Sequence, residues 1–225
     1  MKQINKYICD HFGNDKFSIL EHFEYSKFSI VERLHINKDT GNHSFNYHPT
    51  SKYELEKLID KLINERGNDA DLNDIDTSEI TDMSYLFYEF EFNGDISNWD
   101  VSNVEDMSYM FMGSKFTCEN GDISNWDVSN VEDMMCMFLN TKFNGDISNW
   151  DVSNVKDMYY MFYGSSFNGD ISNWNISNVK DTSSMFAYSE FNGDISEWNV
   201  SNVKDMGAMF YNSPLEKNPP KWYKK

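Results

Sequence analysis

From Asp71 to Trp222 the apolar and polar positions repeat together with a long period, beyond the 3.6 or 2 of one helix or strand. Tryptophan falls at 99, 126, 150, 174, 198 and 222, so the spacing is 27 residues once and 24 thereafter. The first full copy reads Asn93-Gly94-Asp95-Ile96-Ser97-Asn98-Trp99-Asp100-Val101-Ser102-Asn103-Val104-Glu105-Asp106-Met107, and matching copies begin at Asn120, Asn144, Asn168 and Asn192. The longer first spacing comes from an insertion, Thr117-Cys118-Glu119. A worn copy precedes the array, with Leu72 and Ile75 in the places of Ile96 and Trp99. A broken one follows, with Pro219-Pro220 in place of Ile-Ser ahead of Trp222. Atypical ends are expected of a stacked repeat, because each unit buries its apolar face only against neighbours.

Within a unit, Ile96, Trp99 and Val101 follow the L-x-x-L-x-L strand signature of leucine-rich repeats. Ser102 and Glu105, like Ser129 and Glu132, have capping-box spacing. Val104, Met107, Met110 and Phe111 then predict a short helix of two to three turns. Gly113, Asn140, Gly164 and Asn212 stand where a left-handed residue ends such a helix. Phe116, Phe143, Phe167 and Phe191 close the unit, and Asn-Gly returns the chain to the next strand. The expected fold is therefore α/β: a leucine-rich-repeat-like solenoid of strand and short-helix coils with a mixed, partly helical N-terminal cap. The coils are placed at 69–92, 93–119, 120–143, 144–167, 168–191 and 192–215, with a degenerate cap at 216–225. The Met and aromatic stripes are read as core.

Ahead of the array, Ser51 and Glu54 form a capping box before Leu55, Leu58, Ile59, Leu62 and Ile63. That face predicts a helix over 51–66, ended by Gly67 and covering the open end of the first coil. Residues 28–30, 34–36 and 44–47 look strand-like, 38–41 turn-like, and a short helix is expected near 7–12.

Composition divides the chain of 225 residues at the same place. Residues 1–68 balance 10 basic against 10 acidic residues, whereas 69–225 hold 9 against 27, which is the whole net charge of −18. This balance argues against nucleic acid and anionic membrane as partners. The 16% aromatic content argues against disorder. No stretch suits membrane insertion, and 1–20 resemble neither an export signal nor a lipoprotein site, so an intracellular monomer is expected.

Candidate chemistry is sparse. Cys9, Cys118 and Cys136 are an odd set with no flanking motif, and His43 and His48 lack an HExxH or Cys-pair context, so no catalytic residue, metal or cofactor is expected. Three aspartate columns recur: Asp95, Asp122, Asp146, Asp170 and Asp194; then Asp106, Asp133, Asp157, Asp181 and Asp205; then Asp100, Asp127 and Asp151, continued by Asn175 and Asn199. The first could recruit Ca²⁺ as a ladder of carboxylates, but the Asp-to-Asn exchange in the third favours turn capping, since it keeps the acceptor and discards the charge. Tyr109, Met135, Tyr159, Tyr160, Tyr163 and Tyr211 lie where the coils differ from one another and form a candidate protein-contact surface.

The phrases Asp-Val-Ser-Asn-Val, Asp-Met-x-x-Met-Phe and Phe-Asn-Gly-Asp-Ile-Ser, together with Ala70-Asp71-Leu72-Asn73-Asp74-Ile75-Asp76, resemble the BspA-like leucine-rich-repeat surface proteins, whose short repeat of unknown function is abundant in mycoplasma lipoproteins. The resemblance covers 69 to about 215. It implies a non-catalytic protein engaged in adhesion or protein contact, and a surface location that the missing export signal does not match. A protein-interaction module is the expected function. An adhesive or structural component of a surface or virion is the alternative, with an effector or enzymatic activity in 1–49 a distant third.

Overall fold

The computed structural model describes residues 45–224. The elements expected near 7–12, 28–30, 34–36 and 38–41 lie outside these residues, as do Cys9 and His43. Helix α1, Lys52–Arg66, begins at Ser51, whose side chain accepts the Glu54 N–H. The return bond is shifted by one residue: the Glu54 carboxylate takes the Thr50 N–H at 2.9 Å rather than that of Ser51. Gly67 ends the helix at φ 92°, its N–H closing on Ile63 O. Leu55, Leu58, Ile59 and Leu62 are buried in one cluster with the first coil. Arg66 clamps the coil from the other side, its two terminal nitrogens each 2.9 Å from an oxygen of Asp74.

Successive coils are joined by backbone hydrogen bonds in constant register. Parallel bridges link Asp71 to Asp95, and then run Asp82 to Asp106, Asp133, Asp157, Asp181 and Asp205. Between these single bridges the chain turns. The strand expected through Ile96, Trp99 and Val101 is interrupted at Ser97-Asn98, where Trp99 N–H closes on Ile96 O at 3.2 Å. A second turn at Ser102-Asn103 brings Val104 N–H to Val101 O at 2.9 Å. Ser102 and Ser129 are not helix caps: their N–H groups go back to Asp100 and Asp127, and the backbone N–H groups of Glu105 and Glu132 reach Thr81 O and Glu105 O in the preceding coils.

The segment expected as a short helix is a ladder of turns. Met107, Tyr109, Phe111 and Gly113 donate to Asp133, Met135, Met137 and Leu139 of the next coil, while Met110, Met112 and Ser114 donate three residues back to Met107, Tyr109 and Phe111. Alternate donors thus leave the coil, whereas a helix would keep all of them inside. The alternation requires left-handed residues, and there are two per coil, four residues apart. One column comprises Tyr85, Tyr109, Cys136, Tyr160, Ser184 and Ala208 at φ 53–61°. The other comprises Glu89, Gly113, Asn140, Gly164, Tyr188 and Asn212, at φ 52–66°.

Apolar side chains fill the stack. Phe87, Phe111, Phe138, Phe162, Phe186 and Phe210 lie ring over ring at 5.5, 5.6, 5.7, 5.7 and 6.0 Å. A parallel file, Phe92, Phe116, Phe143, Phe167 and Phe191, packs beside it. Burying each such ring is worth roughly 1.5–3 kcal/mol, and offset contacts between rings add to this. The Asn-Gly pair also has a packing reason: a Cβ on Gly94 would sit 2.0 Å from Ala70 O and 2.6 Å from the Phe92 ring. At the C-terminal end a short 3-10 turn at Pro214–Glu216 precedes Trp222 and Tyr223, which continue the aromatic files over Trp198 at 6.4 Å and Phe210 at 4.9 Å.

Candidate functional site

The turn ladder positions the variable residues on one face. Core residues Met107, Met110 and Phe111 are buried, while Tyr109 and Met112 between and after them are partly exposed. Tyr85 and Tyr109 stack at 4.5 Å, and the Tyr109 hydroxyl lies 3.8 Å from Met135 Sδ. Tyr159 and Tyr160 meet at 4.2 Å, Tyr160 and Tyr163 at 4.8 Å, Tyr163 and Tyr188 at 5.3 Å, and Tyr188 and Tyr211 at 5.4 Å. The residues singled out from sequence therefore lie in one band across the coils, as two contact groups, Tyr85 to Met135 and Tyr159 to Tyr211. Tyr109, Met135, Tyr159, Tyr160 and Tyr163 are half-buried and Tyr211 is exposed. Tyr85 and Tyr188, exposed and integral to the band, were missed by the sequence comparison; Tyr188 occupies a position otherwise held by Glu89, Gly or Asn.

The band is lined by the second aspartate column. Burial holds Asp133 above the usual carboxylate range despite the Met135 N–H bond, and the neighbouring carboxylates of Asp106 and Asp157 add to the shift. Asp157 is raised for the same first reason, with Asp181 adding. Burial also pushes the Tyr159 hydroxyl to about 12. Cys136 beside Tyr109 is raised to about 12 by burial, as is Cys118 in the three-residue insertion. Both are free thiols, held in the protonated, weakly nucleophilic form.

All three aspartate columns share one local device. Asp95, Asp122, Asp146, Asp170 and Asp194 each accept the N–H two residues on, from Ser97, Ser124, Ser148, Ser172 and Ser196, at 2.8–2.9 Å. Asp106, Asp133 and Asp157 do the same with Ser108, Met135 and Tyr159 at 2.8 Å. In the third column Asn175 and Asn199 hold Ser177 and Ser201 as Asp151 holds Ser153. Among the described residues no three His, Cys, Asp or Glu side chains are grouped to hold a metal ion. His48, read from sequence as incidental, has its Nδ1 3.0 Å from Asp76 Oδ2.

Two further columns carry structure that periodicity alone did not reveal. Asn103, Asn130, Asn154, Asn178 and Asn202 donate their side-chain amides to the serine carbonyl of the preceding coil at 2.7–2.9 Å. On the opposite side of each turn ladder, buried Ser114, Ser165 and Ser189 hydroxyls accept the N–H of Phe116, Phe167 and Phe191. The recurrence of the asparagine in five coils, and of Ser or Thr at 114, 141, 165 and 189, was the available signal.

These repeated bonds make each coil interchangeable with the next, and a family model responds accordingly. The model described as a mycoplasma protein of unknown function, DUF285, matches residues 53–166 and again 115–222. The chain belongs to the DUF285 family. The overlap of the two DUF285 matches follows from the repeat, since either half of the array satisfies the same pattern. The DUF285 region begins inside α1 and ends at Trp222, so it includes both the covering helix and the last aromatic rung. No curated protein and no solved structure matches the chain.

Proposed function

We propose that this DUF285 protein is a non-enzymatic interaction module whose contact surface is the tyrosine band on the turn ladders. The observation that carries the reading is a contrast in burial. The phenylalanine and tryptophan files within the array are closed into the stack, while Tyr85, Tyr188 and Tyr211 stand 45, 47 and 52% exposed on the face that carries the two tyrosine groups. Large aromatic groups left half in water at the positions where coils differ are the composition of a recognition surface. The stacked-coil architecture supports placing the array among BspA-like, leucine-rich-repeat-like α/β solenoids, here with turns in the place of helices. A monomer that presents this face to one protein partner, without nucleic acid, membrane insertion or cofactor, completes the reading.

The test is affinity capture with purified protein and a variant carrying Tyr109→Ala, Tyr159→Ala, Tyr160→Ala and Tyr163→Ala. A partner identified by mass spectrometry, rebuilt from purified components and lost with the variant supports the reading. Equal recovery by a folded variant overturns it.

A further inference from the structure

The first coil already holds a cation at the edge of the tyrosine band. Lys52, reaching over from α1, places Nζ 3.0 Å from Asp82 Oδ1, within hydrogen-bond reach of Ser84 Oγ, and 5.9 Å from the centre of the Tyr85 ring. Asp82 does this while its Oδ1 also accepts the Ser84 N–H at 2.8 Å, so the turn bond leaves the carboxylate free to bind an ammonium. The next coil repeats the same residues, Asp106-Met107-Ser108-Tyr109, and Asp133, Asp157 and Asp181 continue the column. Among the described residues, ion pairs with Lys or Arg fall on Asp74, Asp82, Glu65 and Glu132, and none reaches Asp106, Asp133, Asp157 or Asp181 of the same column as Asp82.

We propose that the carboxylates of Asp106, Asp133, Asp157 and Asp181, beside the tyrosine band, seat the lysine side chains of an extended basic segment of a partner protein, as Asp82 seats Lys52. This rests on the tyrosine band being the contact surface and names the chemistry of what it contacts. Three observations converge on the cation. Burial raises Asp82, but the Ser84 hydroxyl and N–H together with the Lys52 ammonium outweigh it and leave the group below the usual range. Asp133 and Asp157, which have neither a serine hydroxyl nor an ammonium, stay above it. The backbone bridges hold neighbouring carboxylates in parallel register, so their mutual repulsion is built in and a bound cation relieves it. The spacing also fits. Phenylalanine rings mark successive coils at 5.5–6.0 Å, and alternate side chains of an extended chain project from one face about 6.7 Å apart, a mismatch that flexible lysine stems absorb.

The probe is a fluorescein-labelled peptide of alternating lysine and serine with four lysines, titrated by fluorescence anisotropy against the full chain at low and high salt. The expected result is saturable, salt-sensitive binding that Asp133→Asn with Asp157→Asn weakens by about tenfold or more. Asp122→Asn with Asp146→Asn removes the same charge from another column and is expected to leave the affinity within about threefold. Asn175 and Asn199 show that asparagine keeps the turn bond, and melting curves check that both pairs fold. No binding by the wild-type chain, or equal loss in both pairs, overturns the proposal. If a partner is still lost with the tyrosine variant, the contact surface stands and only its basic specificity fails.

Discussion

The indole N–H of Trp222 donates to the carbonyl of Ile195 at 2.9 Å, the bond that Trp198 makes to Ile171 at 3.0 Å one coil earlier. The same bond joins Trp99 to Leu72 and Trp150 to Ile123. Tryptophan is therefore the polar rivet of the stack as well as part of its core.

Trp150→Phe keeps most of the buried ring and deletes the donor, leaving Ile123 O with the Trp126 N–H as its one remaining partner. Losing one of the two hydrogen bonds costs about 0.5–1.5 kcal/mol, and lost volume adds to that. Urea unfolding is expected to show such a loss at Trp150 and a smaller one for Trp222→Phe, because Trp222 is only half-buried at the end of the array.

Ser184 tests the turn ladder directly. It lies at φ 53°, a conformation that costs an L-residue about 1–2 kcal/mol and glycine little. Glycine also gains freedom in the unfolded chain, so Ser184→Gly is expected to leave stability unchanged or raise it by up to about 1 kcal/mol. In a helix the same change would lower stability by roughly the amounts known for interior glycine, about 0.5–1 kcal/mol. A clear destabilisation in thermal and urea melts would contradict the turn geometry.

The second aspartate column sets a pH response. Asp133 and Asp157 have folded-state values raised above the ordinary 3.8. Their favourable contribution is present below the unfolded value and lost as pH rises through the folded one, so the charged form weakens the fold at neutral pH. Asp133→Asn is expected to raise the melting temperature at pH 7, and the gain shrinks as pH falls through the raised folded value and is gone below the unfolded one. Asp146 behaves oppositely: the Ser148 backbone and side-chain bonds lower it, so its contribution is present above the unfolded value and lost in acid. A melting difference for Asp133→Asn that is constant from pH 7 to pH 3 would refute this assignment.

Phe162 touches Phe138, Phe167 and Phe186 at 5.7, 4.3 and 5.7 Å. Phe162→Ala is expected to cost about 3–5 kcal/mol. Because each coil contacts only its neighbours, hydrogen exchange should accelerate first in the coils at 120–191 and least in α1. Uniform acceleration along the whole chain would show that the array unfolds as one unit.

The sequence by itself determined the register of the array, the inward residues and the helix in front of it. Each of these depends on a repeat or a local signal: tryptophan every 24 residues, Leu55, Leu58, Ile59 and Leu62 at helical spacing, and Ser51 ahead of them. It also marked Gly113, Asn140 and Gly164 as left-handed, because few residues adopt that conformation cheaply. What only the tertiary structure decided is where the other backbone donors go. Met107, Met110 and Phe111 have the same apolar spacing in a helix as in a ladder of turns, so the pattern alone favours the helix. The choice depends on Tyr109 N–H meeting Met135 O at 2.8 Å in the next coil. That partner is 26 residues away in sequence, and it is present only because the stack has formed.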